Sequence, residues 1–173
     1  MARQDSLKDT RMLVTTGLML ALTTIATMFL KIPIGAGYIH LGDVLVLLAA
    51  RLLPRKNALL SASLGAALAD LLGGFAAWAP FTLVIKAGMV LLVTAVPPGR
   101  GKYGRYAGLI LAGACTVAGY YLAEGLLYAN WVAPLLGVPF NALQVAVGAD
   151  LSGALYRSLK DRIWLEGGDR SLR

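Results

Sequence analysis

Long apolar runs separated by short polar breaks dominate the chain. A helix needs about 20 mostly apolar residues to cross a hydrocarbon core of about 30 Å. Residues 12–30 meet that requirement without a single charge, between Arg11 and Lys31. A second, shorter run covers 41–53 and is closed by Arg51, Pro54, Arg55 and Lys56. The third, 58–78, is interrupted by Asp70 and the Gly73-Gly74 pair. Pro80 suits the first turn of a fourth helix over 80–96, where a missing N–H costs little, and Pro97-Pro98-Gly99 stops it. The fifth run, 106–128, carries Glu124, and the sixth, 139–159, carries Asp150. The runs do not alternate as barrel strands would, so they predict an all-α integral membrane protein: a six-transmembrane-helix bundle forming one membrane domain over 1–173. The apolar part of the first run exceeds that of a signal peptide, and Lys31-Ile-Pro33 offers no small-residue cleavage pattern.

Composition agrees. Of 173 residues, 58% are hydrophobic and only 14% charged, against about a quarter charged in ordinary soluble domains. The formal net charge of +7 suggests an acidic partner until the charges are placed. Arg3, Lys8, Arg11, Arg51, Arg55, Lys56, Arg100, Lys102, Arg105, Arg157, Lys160, Arg162, Arg170 and Arg173 all fall on the side that the two termini of a six-span chain share, leaving only Lys31 and Lys86 of the 16 basic residues elsewhere. By the positive-inside rule that side is the cytoplasm. The charge is therefore an orientation signal, and no interleaving of basic and aromatic residues points to nucleic acid.

The remaining charges need a reason, because a charged side chain at the bilayer centre costs at least about 2.5–3.5 kcal/mol. Asp70, Lys86 and Glu124 lie toward the outer ends of three different spans, and Asn141 and Gln144 lie in the first turns of a fourth. Residues four apart share a helix face, which aligns Tyr120, Glu124 and Tyr128 and pairs Asn141 with Gln144. Converging polar groups with aromatic walls (Tyr120, Tyr121, Tyr128 and Trp78) are what a small-molecule site requires. The plainer alternative is an Asp70–Lys86 or Glu124–Lys86 ion pair that only holds the bundle together. Asp43 directly precedes an apolar run, so helix N-capping is its favoured role. His40 lies in an outer loop, where contact with a ligand and simple solvation are equally plausible. Asp150 suits an interhelical hydrogen bond better than a proton path. Interfacial placement accounts for Trp131, and Cys115 reads as a small buried apolar residue. On the first span Gly17 and Ala21 form a small-xxx-small pair, extended by Thr24 and Ala26 but interrupted by Ile25.

Catalytic and cofactor motifs are missing. Gly99-Arg-Gly-Lys-Tyr103 has neither the spacing nor the hydroxyl of a phosphate-binding loop. One histidine and one cysteine make a metal or redox site untenable. No catalytic residue, metal ligand or cofactor is expected in this chain.

Four blocks stand in order along the chain: Gly37-Tyr-Ile-His-Leu-Gly-Asp43, Ala67-Leu-Ala-Asp-Leu-Leu-Gly-Gly74, Ala79-Pro-Phe-Thr-Leu-Val-Ile-Lys86 and Pro139-Phe-Asn-Ala-Leu-Gln144. Together they resemble the substrate-binding S components of energy-coupling factor (ECF) vitamin transporters, in the group associated with hydroxymethylpyrimidine, pyridoxine, pantothenate and riboflavin. The resemblance implies a multi-pass protein of the prokaryotic cytoplasmic membrane with both termini in the cytoplasm. It implies an outward-side pocket at Asp70, Lys86, Glu124, Asn141 and Gln144, capped by the loop after span one. It also implies partners: a transmembrane coupling subunit docked on span one through Gly17 and Ala21, and two ATPase subunits that use the ATP. Delivery would be by toppling of the S component in the lipid. Tyr121, Tyr128, Trp78 and His40 complete the expected binding set. Two alternatives stand beside it. One is a stand-alone secondary transporter with a proton path through Asp150 and Glu124; the other is a small membrane enzyme using Asp70 and Glu124 as acid and base.

Overall fold

The computed structural model describes residues 2–34, 37–96 and 101–164. Its element order is α1 (Ala2–Phe29), β1 (Lys31–Ile34), β2 (Gly37–His40), α2 (Gly42–Leu52), α3 (Arg55–Leu59), a π-helical turn (Leu60–Leu64), α4 (Gly65–Leu72), α5 (Ala79–Ala95), α6 (Gly101–Tyr128), a 3₁₀ turn (Ala133–Leu136) and α7 (Val138–Trp164). Helix occupies all six predicted stretches. Among the described residues, three segments are long and apolar enough to cross a membrane: Asp9–Phe29, Tyr106–Tyr128 and Ala133–Leu159, with Ala79–Ala95 a shorter apolar helix.

The bundle is arranged around α2. Apolar residues run all round this helix, and nine of its 11 residues are buried, as expected of a central helix rather than a surface one. It packs against α1, α5 and α7. Around it the core is built largely from small and branched side chains, with Val46, Leu47, Ala49, Ala58, Ala62, Met89, Val90 and Ala112 fully buried. Alanine at such contacts lets helix axes approach closely, the packing that serves where lipid removes the hydrophobic drive between helices. Large apolar side chains point the other way: Leu13, Val14, Leu18 and Phe29 on α1, Ile110 and Leu126 on α6, and Leu143, Leu151 and Leu155 on α7 are exposed. Such a surface suits lipid and would be a liability in water.

Several boundaries differ from the sequence pattern. α1 continues back to Ala2 and α7 runs on to Trp164, because helix geometry is indifferent to the polarity change at a membrane surface. The third stretch ends at Leu72 instead of near residue 78: Gly73 caps the helix with its N–H on the Ala69 carbonyl, and Gly74 takes φ +84°, a conformation that favours glycine. Within it, the π turn carries buried Ser61, Ala62 and Ser63. Gly65 follows, its Cα so close to α1 that a Cβ would lie 2.8 Å from the Leu20 carbonyl oxygen. Thr24 Oγ1 donates to the Gly65 carbonyl at 2.9 Å across the same contact.

The stretch after α1, expected as a loop, is an antiparallel hairpin with register Lys31↔His40, Ile32↔Ile39, Pro33↔Tyr38 and Ile34↔Gly37. β-branched and aromatic residues across the two segments support strands, and Pro33 is tolerated because a two-stranded ribbon has only edges. The bond from Leu41 N–H to the Leu30 carbonyl closes its base at 3.0 Å.

Candidate functional site

A cavity of about 370 Å³ opens at the hairpin end of the bundle. Thr27 of α1, Lys31 and His40 of the hairpin, Ala69 and Asp70 of α4, and Phe75 and Trp78 of the α4–α5 connection line it. Thr82 and Lys86 of α5, Tyr120, Glu124 and Tyr128 of α6, and Gly137, Phe140, Asn141 and Gln144 of the α7 end complete the wall. On α5, α6 and α7 the lining residues follow the three- and four-residue spacing of a single helix face. The Trp78 ring lies 6.3 Å from Tyr120 and 6.1 Å from Tyr128, both tilted. These rings form one aromatic side of the cavity.

At the cavity's inner end lies a closed polar network. Lys86 Nζ donates to Asp43 Oδ1 at 2.5 Å, and both side chains are fully buried. Gln144 Nε2 donates to Asp43 Oδ2 at 2.9 Å, while Gln144 Oε1 accepts from the His40 backbone N–H at 3.0 Å. The chain of contacts thus joins α5, α2, α7 and the hairpin. Lys86 Nζ also stands 5.1 Å from the centre of the Tyr120 ring, within cation–π range. Isolated charges buried this deeply would be prohibitive, whereas a hydrogen-bonded pair is sustainable.

His40 Nδ1 accepts the Gly42 backbone N–H at 3.2 Å, so that nitrogen carries no proton. Burial lowers the His40 pKa from 6.5 to about 4; Asp43 opposes this, and the positive charges of Lys86 and Lys31 add to it. Gly42 is required here, since a Cβ would collide with the Thr27 hydroxyl and the His40 ring.

Eight of the residues expected at the site, Asp70, Lys86, Glu124, Asn141, Gln144, Tyr128, Trp78 and His40, line this one cavity. Tyr121 does not. One residue beyond Tyr120 on α6 it faces away, donating its hydroxyl to the Trp131 carbonyl at 2.9 Å with the two rings 6.2 Å apart. Asp43 is not an N-cap: Leu41 holds that position without a side-chain cap, and the Asp43 carboxylate turns inward to Lys86. The partner of Lys86 is therefore Asp43, not Asp70 or Glu124. Gly17 and Ala21 are exposed on the outer side of α1, with nothing within 4 Å of a Cβ on Gly17, while Thr24 and Ala26 turn to the buried side and leave that stripe. Asp150 is exposed on α7, outside the cavity.

Sequence reasoning missed Thr27, Lys31, Phe75, Thr82 and Phe140. A signal existed for two of them. Thr82 precedes Lys86 by one turn, and Thr27 continues the polar side of α1 marked by Thr16, Thr23 and Thr24. No group of three or more His, Cys, Asp or Glu capable of holding a metal occurs among the described residues.

The sequence profile described as "ECF-type riboflavin transporter, S component" matches residues 8–161. An uncharacterised protein of Pyrococcus woesei is 36% identical over 144 residues, covering 81% of this chain and 95% of that protein. The thiamine precursor transporter HmpT of Lactococcus lactis subsp. cremoris is 32% identical over 125 residues, 72% of this chain and 71% of the transporter.

Proposed function

Since the chain belongs to the family of ECF-type riboflavin transporter S components, we propose that it is the substrate-binding subunit of an ATP-driven importer in the prokaryotic cytoplasmic membrane. Its ligand is a small vitamin or vitamin precursor, hydroxymethylpyrimidine- or pyridoxine-like in first place, then pantothenate or riboflavin. The observation that carries this is the cavity of about 370 Å³ in which polar groups from α1, α4, α5, α6, α7 and the hairpin converge beside an aromatic wall. Its volume lies near the lower end of ligand sites, which span about 300–1,000 Å³. A single substituted ring fits that better than three fused rings with a ribityl chain. The relative named as a thiamine precursor transporter supports the same order.

The topology is six spans with both termini in the cytoplasm, supported by the one-sided distribution of basic residues. The cavity then opens outward under the hairpin. Energy comes from two partner ATPases through a transmembrane coupling subunit, which meets the exposed Gly17–Ala21 side of α1, and the subunit topples to deliver its ligand. The proton-coupled alternative has less support, because Glu124 lines the cavity while Asp150 is exposed outside it.

Native mass spectrometry of the protein purified in mild detergent tests this proposal. A co-purifying B-vitamin-like compound, together with coupling and ATPase subunits, is the expected outcome. A protein that neither carries nor takes up any compound of this class would overturn it.

A further inference from the structure

Lys86 looks like the natural anchor for an anionic ligand, yet its ammonium group is held by Asp43 Oδ1 in a pair that is fully buried. The second oxygen of Asp43 is held by Gln144, and the Gln144 carbonyl by the hairpin backbone. Both carboxylate oxygens of Asp43 are thus taken within the network. Two other lining oxygens are left over: Asp70 Oδ2 and Thr27 Oγ1 are buried without a hydrogen-bond partner, the two side-chain atoms of that kind among the described residues. A carboxylate accepts hydrogen bonds and donates none, so Asp70 calls for a donor. Glu124 adds a second carboxylate to the same wall. With Asp43 and Lys86 neutralised and the His40 imidazole held uncharged by burial down to about pH 4, Lys31 is the one cation set against two carboxylates on the described lining. Lys31 lies at the hairpin over the Phe75 ring, 5.1 Å from its centre. The faces of Trp78, Tyr120 and Tyr128 carry partial negative charge and favour a flat ring that is electron-poor or cationic.

Taking the vitamin-binding role above as given, we infer that the cavity selects an amino-substituted nitrogen heteroaromatic ring, neutral or cationic, and discriminates against its phosphate ester and against carboxylate ligands, with Asp70 accepting from the exocyclic amino group. Asp70 is thus a specificity-determining residue. The buried Asp43–Lys86 pair gives shape and rigidity to the end of the cavity and is not an anion anchor.

The test is a titration of the full-length protein in detergent with four probes: 4-amino-5-hydroxymethyl-2-methylpyrimidine, its 4-oxo counterpart, its phosphate monoester, and pantothenate. The 4-oxo compound places an acceptor where the amino compound places its exocyclic donor and carries its N–H on the adjacent ring nitrogen instead, at nearly unchanged size. The amino compound should bind about ten- to a hundredfold more tightly than the 4-oxo compound or the phosphate, the range set by one hydrogen bond to a charged acceptor. Asp70→Asn offers a donor as well as an acceptor, and should shrink the amino-to-oxo affinity ratio by about tenfold or more. Because that ratio is measured within one protein preparation, partial misfolding does not move it. Tighter binding of the phosphate or of pantothenate, or a ratio unchanged in Asp70→Asn, would overturn the inference and leave the vitamin-binding role standing. Failure of all four probes and of every other B-vitamin-like compound would overturn that role, and the inference with it.

Discussion

At the residue scale, Asp43 and Lys86 carry the largest energetic stake. Removing one member of a buried pair strands the other, at a cost of about 3–5 kcal/mol, whereas removing both can be nearly neutral. Lys86→Met should accordingly destabilise the protein by about that amount, and Asp43→Leu/Lys86→Met should recover most of the loss. Denaturant unfolding in mixed micelles reads both; a double variant as unstable as the two singles together would contradict a closed pair. His40 supplies a pH dependence. Its pKa is lowered to about 4 in the folded protein from 6.5, so the unfolded chain binds more protons between those values. The His40 contribution is complete above pH 6.5 and is lost as pH falls toward 4. Thermal unfolding should therefore show a decline from pH 6.5 to 5 that is shallower in His40→Gln, and equal slopes would remove this assignment. Asp70, Lys86 and Glu124 were legible in the sequence because charge is scarce in apolar runs. The Asp43 pair was not, because a carboxylate one residue into a helix suits capping equally well, and only the crossing of α2 and α5 decides which partner it meets.

At the element scale, the fit of α1 against the segment containing the π turn depends on the absence of a side chain at Gly65. A Cβ there would lie 2.8 Å from the Leu20 carbonyl oxygen and 3.0 Å from Thr23 Cβ. Backbone atoms give little, and overpacking of this kind costs about 1–3 kcal/mol. Gly65→Ala should lower thermal stability in detergent to that extent, while Gly17→Ala, with open space around it, should leave it unchanged. Equal loss in both would mean that α1 packs through its other side. The helices themselves were readable from apolar run length. The hairpin was not, since Lys31-Ile-Pro-Ile34 and Gly37-Tyr-Ile-His40 are short and read as readily as the loop between two spans. Four-residue spacing did set Tyr120 on the face of Glu124 and Tyr128 that lines the cavity; Tyr121, one residue on, is turned about 100° away and leaves it.

At the scale of the whole molecule, the proposed orientation rests on the distribution of charge and is open to direct labelling. In a Cys115→Ser background, a cysteine at Asn130, in the α6–α7 connection, should react with a membrane-impermeant maleimide in intact cells. A cysteine at Ser171 should react only after the membrane is opened. The reverse pattern would place the cavity on the cytoplasmic side. The proposed division of roles with partner ATPases rests on a cavity and an exposed small-residue face on α1 in a sequence that contains no phosphate-binding loop. The most direct measurement compares ligand binding with ligand accumulation in cells that possess or lack the partner ATPases. Binding to the membrane-embedded chain should persist without the ATPases while accumulation disappears. Accumulation undiminished by their loss would contradict a substrate-binding subunit and favour a transporter that works alone.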